Sequence, residues 1–153
     1  MLIATPTGWL SRNILIEENT RLVAEIDGSP WGQRASATVG KATYALYRET
    51  LFKANYVMER GGQVVVRANS SSTFGSQFDV AWADHNIVLR RLSLWTQTFG
   101  LFKNDEQLGT VRPTGIFKRR GTVEGASSIP LEVRVFLVWV ALMTWRRQGH
   151  YVT

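Results

Sequence analysis

Apolar and polar positions alternate in short runs along most of the chain. Runs of five or six apolar and β-branched residues are broken at close spacing by turn signals such as Asp27-Gly28, Gly61-Gly62 and Asn104-Asp105. That pattern predicts short β-strands rather than helices. RGGQ at 60–63 and KNDEQ at 103–107 predict two hairpin turns. The pattern changes only near the end. PLEVRVFLVWVALMTWRR, residues 130–147, is apolar on every side when wound as a helix.

The strand-like part repeats with a period of about 43 residues. Leu46 matches Leu89, Leu51 matches Leu94, Phe52 matches Trp95, Tyr56 matches Phe99 and Met58 matches Leu101. Phe74 matches Phe117 and Val80 matches Val123. Near the second turn the register slips by two, pairing Val66 with Val111 and Arg67 with Arg112. A weaker copy, NILIEENTRLVAEIDGSPWG at 13–32, precedes both. The reading is one domain over 1–153, with β units at roughly 1–42, 43–85 and 86–125 and a helix at 130–147.

Three units of about four strands make about twelve. A sheet of that size must curl, split or close, because open edges invite pairing with other chains. A closed barrel of about twelve strands is too wide for side chains alone to fill, since small barrels fill at about eight. The apolar helix is the available filling. A tail anchor is the competing reading for this segment. However, its uncharged run, 135–145, is short for a membrane span of about 20 residues. It is also bracketed by Glu132 and Arg134 on one side and Arg146 and Arg147 on the other. Ser128 is the expected N-cap, Pro130 suits the first turn and Gly149 the stop. The fold class expected is therefore mainly β: a closed antiparallel barrel of about twelve strands around a buried C-terminal helix.

Composition narrows the chemistry. Apolar residues are 44% and charged residues 20%, so a folded core is expected. The absence of cysteine removes disulfides, thiolate metal sites and cysteine nucleophiles, and fits a reducing compartment. The first residues do not read as a secretory signal, and no lipidation motif is visible. Net charge is +6, and all of the excess falls in 86–153, because the acids and bases of 1–42 and of 43–85 cancel. An asymmetric basic excess points to an anionic partner or to a solvated surface.

The residues 44–68, YALYRETLFKANYVMERGGQVVVRA, together with FGLFKNDEQLGTVRP at 99–113 and the helix at 130–147, resemble the tubby C-terminal-like superfamily. That group holds tubby domains, LURP-one-related proteins and phospholipid scramblases. The chain is most similar to the short bacterial members, over about residues 10–148. The resemblance implies a twelve-stranded barrel threaded by its C-terminal helix. It also implies binding of phosphoinositides or association with bilayers. No phosphoinositide-contacting residue of tubby aligns onto this chain. The scramblase-type cysteine-rich segment is absent, and Asp79 and Asp84 are too sparse for an EF-hand calcium loop.

Catalytic patterns are lacking. His85 in ADHN reads as part of a turn, and His150 lies in the tail. No serine sits in a G-x-S-x-G elbow, and Gly61-Gly62 lies between strands rather than before a helix. No enzyme activity, cofactor or metal is expected. The candidate binding site is GIFKRRG at 115–121, with Lys118, Arg119 and Arg120, supported by Arg90 and Arg91. Basic side chains beside apolar Ile116 and Phe117 suit anionic lipid headgroups. Trp139 and Trp145 belong to the helix, and Trp95 reads as structural through its match to Phe52. Trp9, Trp31 and Trp82 are too dispersed for a base-stacking platform, which sets nucleic acid aside. The expected function is a non-enzymatic binding module at anionic phospholipid. It would be cytoplasmic, peripheral to the inner face of the membrane. The alternative is a protein–protein scaffold with no lipid role.

Overall fold

A computed structural model describes residues 1–7, 13–28, 34–49, 54–71, 76–114 and 120–149. Twelve strands are joined in one closed antiparallel barrel. In chain order they are β1 (Leu2–Pro6), β2 (Asn13–Glu18), β3 (Arg21–Gly28), β4 (Arg34–Val39), β5 (Ala42–Arg48) and β6 (Asn55–Arg60). They continue with β7 (Gln63–Ser70), β8 (Gln77–Trp82), β9 (His85–Arg91), β10 (Phe99–Lys103), β11 (Glu106–Thr114) and β12 (Arg120–Gly125). Each strand pairs with its chain neighbours, and β1 closes on β12 with Leu2 opposite Val123 and Ala4 opposite Gly121. Asp27 and Gly28 belong to β3, opposite Ser36 and Ala35, and do not form a turn.

One bulge recurs. The β2/β3 ladder shifts after Ile16, the β6/β7 ladder after Met58 and the β10/β11 ladder after Leu101. Each bulge precedes a turn with two left-handed residues: Asn19-Thr20, Gly61-Gly62 and Asn104-Asp105. Such turns match the twist of paired strands. A bulge bends its strand and raises local twist, which helps a wide sheet close.

The C-terminal helix α1 (Leu131–Gly149) lies inside. Val135, Phe136, Leu137, Val138, Val140, Ala141 and Trp145 cover every side of it, and all are buried. Separate walls of the barrel meet it. Tyr56 of β6 packs edge-on to Trp139 at 5.4 Å, and Phe99 of β10 packs on Trp145 at 6.4 Å between ring centroids. On β12, Gly121 leaves the space that the Trp145 ring uses, since a Cβ there would stand 3.1 Å from that ring. No helix among the described residues is long and apolar enough to cross a membrane. The apolar stretch is thus core and not a tail anchor. Its first bond runs from Arg134 N to Pro130 O at 3.0 Å, which makes Pro130, not Ser128, the N-cap.

The outer faces of the strands are more polar than the inner ones. Asp27, Ser36, Thr43, Asp79, Arg90 and Arg112 point out, while Ile26, Leu46, Val80, Leu89 and Val111 point in. This is the reverse of the apolar-out alternation of a barrel that sits in lipid.

Candidate functional site

The barrel has two unlike ends. At one end, adjacent strands are joined by the two-residue turns Asn19-Thr20, Gly40-Lys41, Gly61-Gly62, Ala83-Asp84 and Asn104-Asp105, and α1 enters there. The longer connections join strand ends at the other end, where α1 finishes on Arg146 and Arg147. At the turn end the charges are of both signs. Arg134 Nη1 donates to Glu18 Oε2 at 2.9 Å, inside the mouth, and Asp84, Asp105 and Glu106 accompany Lys41 and Lys103.

The loop end is basic. Arg120 opens β12 and is exposed, as are Arg146 and Arg147. Arg90 and Arg91 close β9. They are neighbours on a strand, so they point to opposite faces. Arg90 lies outside, its guanidinium 4.3 Å from the Phe102 ring centroid. Arg91 has the inward parity of Ile87 and Leu89, and sits 5.8 Å from the Phe99 ring centroid. Its Nε and Nη2 atoms are buried without a hydrogen-bond partner, and burial holds its pKa below the ordinary arginine value. Arg48 takes the inward parity of β5 at the same mouth, and burial, then the nearby Arg147 charge, lower its pKa. Arg67 and Arg112 are bound to Glu49 and Glu124 on the barrel wall. Among the described residues Arg90, Arg91, Arg120, Arg146 and Arg147 have no carboxylate within ion-pair distance. Lys118 and Arg119, with Ile116 and Phe117, lie outside the described residues.

The sequence reading misplaced Trp95. It is 96% exposed, and Leu94 beside it is 72% exposed. The match to Phe52 counts residues through a segment that has left the sheet: β9 ends at Arg91 and β10 begins at Phe99. The segment between them is held by its own bonds. Leu92 N donates to Thr98 O at 2.7 Å and Gln97 N to Ser93 O at 3.1 Å. Ser93 Oγ accepts from the amides of Trp95 and Thr96, both at 3.2 Å. Gln97 is left-handed (φ 59), its Nε2 donates to Leu94 O, and its own carbonyl accepts from Trp145 Nε1 at 2.8 Å. The loop is thus pinned to α1 and holds its two largest apolar side chains outward. The sequence signal was available: a serine able to cap a turn, then Leu-Trp between polar residues, three positions after two arginines.

Elsewhere the described residues offer little for catalysis. His85 starts β9 at the turn end, stacked on Trp82 at 5.4 Å and 3.6 Å from Asp84. An open depression across β3 to β5, edged by Asp27, Arg34 and Ser36, lies at the opposite end from that histidine. No three His, Asp or Glu side chains gather to hold a metal ion among the described residues. Comparison of the chain with family models, with curated proteins and with solved structures gives no match in any of the three.

Proposed function

We propose that this protein is a non-enzymatic binding module that attaches peripherally to an anionic lipid surface through the loop end of its barrel. The surface meant is the inner face of a cytoplasmic membrane. One observation supports the reading most: five arginines without carboxylate partners, Arg90, Arg91, Arg120, Arg146 and Arg147, gather at one end. On the wall Arg67 and Arg112 are paired, and at the turn end Arg134 is paired while Arg21 and Arg60 stand among Asp84, Asp105 and Glu106. A basic side chain near an anionic membrane contributes about 1 kcal/mol, so several acting together reach useful affinity.

Vesicle flotation tests this directly. The protein should float with anionic and not with neutral vesicles, and should sink again at about 1 M salt, where the screening length is about 3 Å. Changing Arg120, Arg146 and Arg147 together to Ala should abolish flotation, and a Lys118, Arg119 and Arg120 triple change should weaken it. Protein that stays at the bottom of every tube removes the lipid role and leaves the scaffold reading, in which the barrel surface meets a protein partner.

A further inference from the structure

We infer that the Leu94–Trp95 tip is a membrane prong that enters the headgroup region of the bilayer while the surrounding arginines hold phosphates. This rests on the lipid-surface reading above and adds to it a second, apolar mode of attachment.

The exposure of Trp95 is a built feature. A loop that is merely slack leaves its apolar side chains free to fold back on the barrel. Here Ser93 Oγ caps the turn from within, Gln97 locks its far side, and Trp145 of the core helix holds Gln97 from below. These bonds hold the backbone of the turn, and on it stands a nearly fully exposed indole next to an exposed leucine. Exposed Leu92 at the base of the same loop extends the apolar surface. An indole has an apolar body and one N–H, which suits the boundary between acyl chains and headgroups.

The neighbours decide the partner. Arg90 and Arg91 stand at the foot of the loop, and Arg146 lies one residue beyond the Trp145 that anchors it. An apolar tip with unpaired arginines at its foot fits a surface that is anionic at the phosphates and apolar just beneath. An apolar groove on a protein would ask for no such collar. Depth requires little. Sinking about 60 Å² of apolar surface is worth about tenfold in partition.

The test uses the whole chain, anionic vesicles of phosphatidylglycerol in phosphatidylcholine, and lipids brominated high on the acyl chain. Trp95→Ala should lower the partition coefficient about tenfold while leaving salt-dependent binding in place, and Leu94→Asp should do at least as much. Trp95→Phe should float like the parent, yet lose the bromine quenching of tryptophan fluorescence. Far-UV circular dichroism and the melting temperature of each variant confirm that the barrel is intact. Binding by Trp95→Ala equal to the parent's overturns the prong and leaves the electrostatic reading standing. Quenching that persists in Trp95→Phe does the same, since another tryptophan would then be at the bilayer. A parent that floats with no vesicle overturns both. A parent dimer that Trp95→Ala converts to a monomer overturns the prong by assigning the tip to a second copy.

Discussion

Trp145 and Trp95 are the same residue type 50 positions apart, and the barrel predicts opposite costs for losing them. Trp145 is fully buried against Phe99 and fills the space over Gly121. Truncation to alanine withdraws most of a side chain that buries up to about 250 Å², or about 4–5 kcal/mol at about 25 cal/mol per Å². Large-to-small core changes of this kind cost about 3–5 kcal/mol. The indole N–H to Gln97 O bond at 2.8 Å goes as well, which adds about 1 kcal/mol. The sum, about 4–6 kcal/mol, is a large share of the about 5–15 kcal/mol that holds a domain together. For a chain of this size it corresponds to a fall in melting temperature of about 8–24 °C. Trp95→Ala should stay within about 0.5 kcal/mol of the parent, because an exposed side chain supports nothing beneath it. Thermal and urea unfolding, followed by far-UV circular dichroism on both variants and the parent, measure the contrast. A Trp145→Ala protein that melts within 2 °C or so of the parent, or a Trp95→Ala protein that falls equally far, would refute the placement of α1 inside the barrel.

Other consequences can be checked on the same material. Val138→Asp puts a carboxylate at the middle of a helix buried on all sides, where the cation one turn away, Arg134, is already bound to Glu18; the chain should fail to fold cooperatively, and a sigmoidal melt near the parent's would count against a dry core. Deleting 130–153 should empty the barrel and give an insoluble or molten product, whereas a cooperative melt of that truncation would mean the strands close unaided. Ser93→Ala removes the cap of the prong; amide exchange at Trp95 and Thr96 should speed up by about the fivefold that about 1 kcal/mol implies, with the global melt little changed, and unchanged exchange would mean the cap holds nothing. Tyr47 Oη donates to Glu59 Oε1, and that bond raises the Tyr47 pKa above 10.0. The folded state therefore holds this proton more tightly than the unfolded chain. Its contribution is whole below pH 10 and is lost as the pH rises through the folded pKa. The stability gap between the parent and Tyr47→Phe should shrink above pH 10, and a gap constant to pH 11.5 would contradict the hydrogen bond.

The core was legible because a repeat compares like with like. Tyr56 and Phe99, Met58 and Leu101, and Val66 and Val111 occupy corresponding strands, and each pair is buried. The helix was legible because α1 is apolar on every side, which in a short segment leaves few places to go; its bounds moved only from 130–147 to Leu131–Gly149. The same comparison failed for Trp95, since equal spacing says nothing of environment once the chain leaves the sheet. Arg90 and Arg91 are adjacent in sequence and were read as one pair. Strand alternation sends one outward and the other into the mouth. Which is which follows from the parity of Leu89, and no composition or charge count contains that. The gathering of Arg120 with Arg146 and Arg147 depends on the direction in which α1 threads the barrel, a tertiary fact.

The position of α1 in the chain also sets the order of events during synthesis. The element that fills the core is the last of the fold to leave the ribosome, and the strand that closes the wall, β12, pairs with β1, the first. Until residue 149 has emerged, the inward rows of Leu, Ile and Val on the finished hairpins have nothing to cover them. Contacts so distant along the chain form slowly, since a long loop must close before they stabilise anything. The nascent protein is therefore a set of hairpins with open edges and an exposed apolar face, the state most prone to aggregate. A trigger for folding that arrives all at once, when α1 emerges, ties yield in the cell to elongation rate and chaperone supply as well as to final stability.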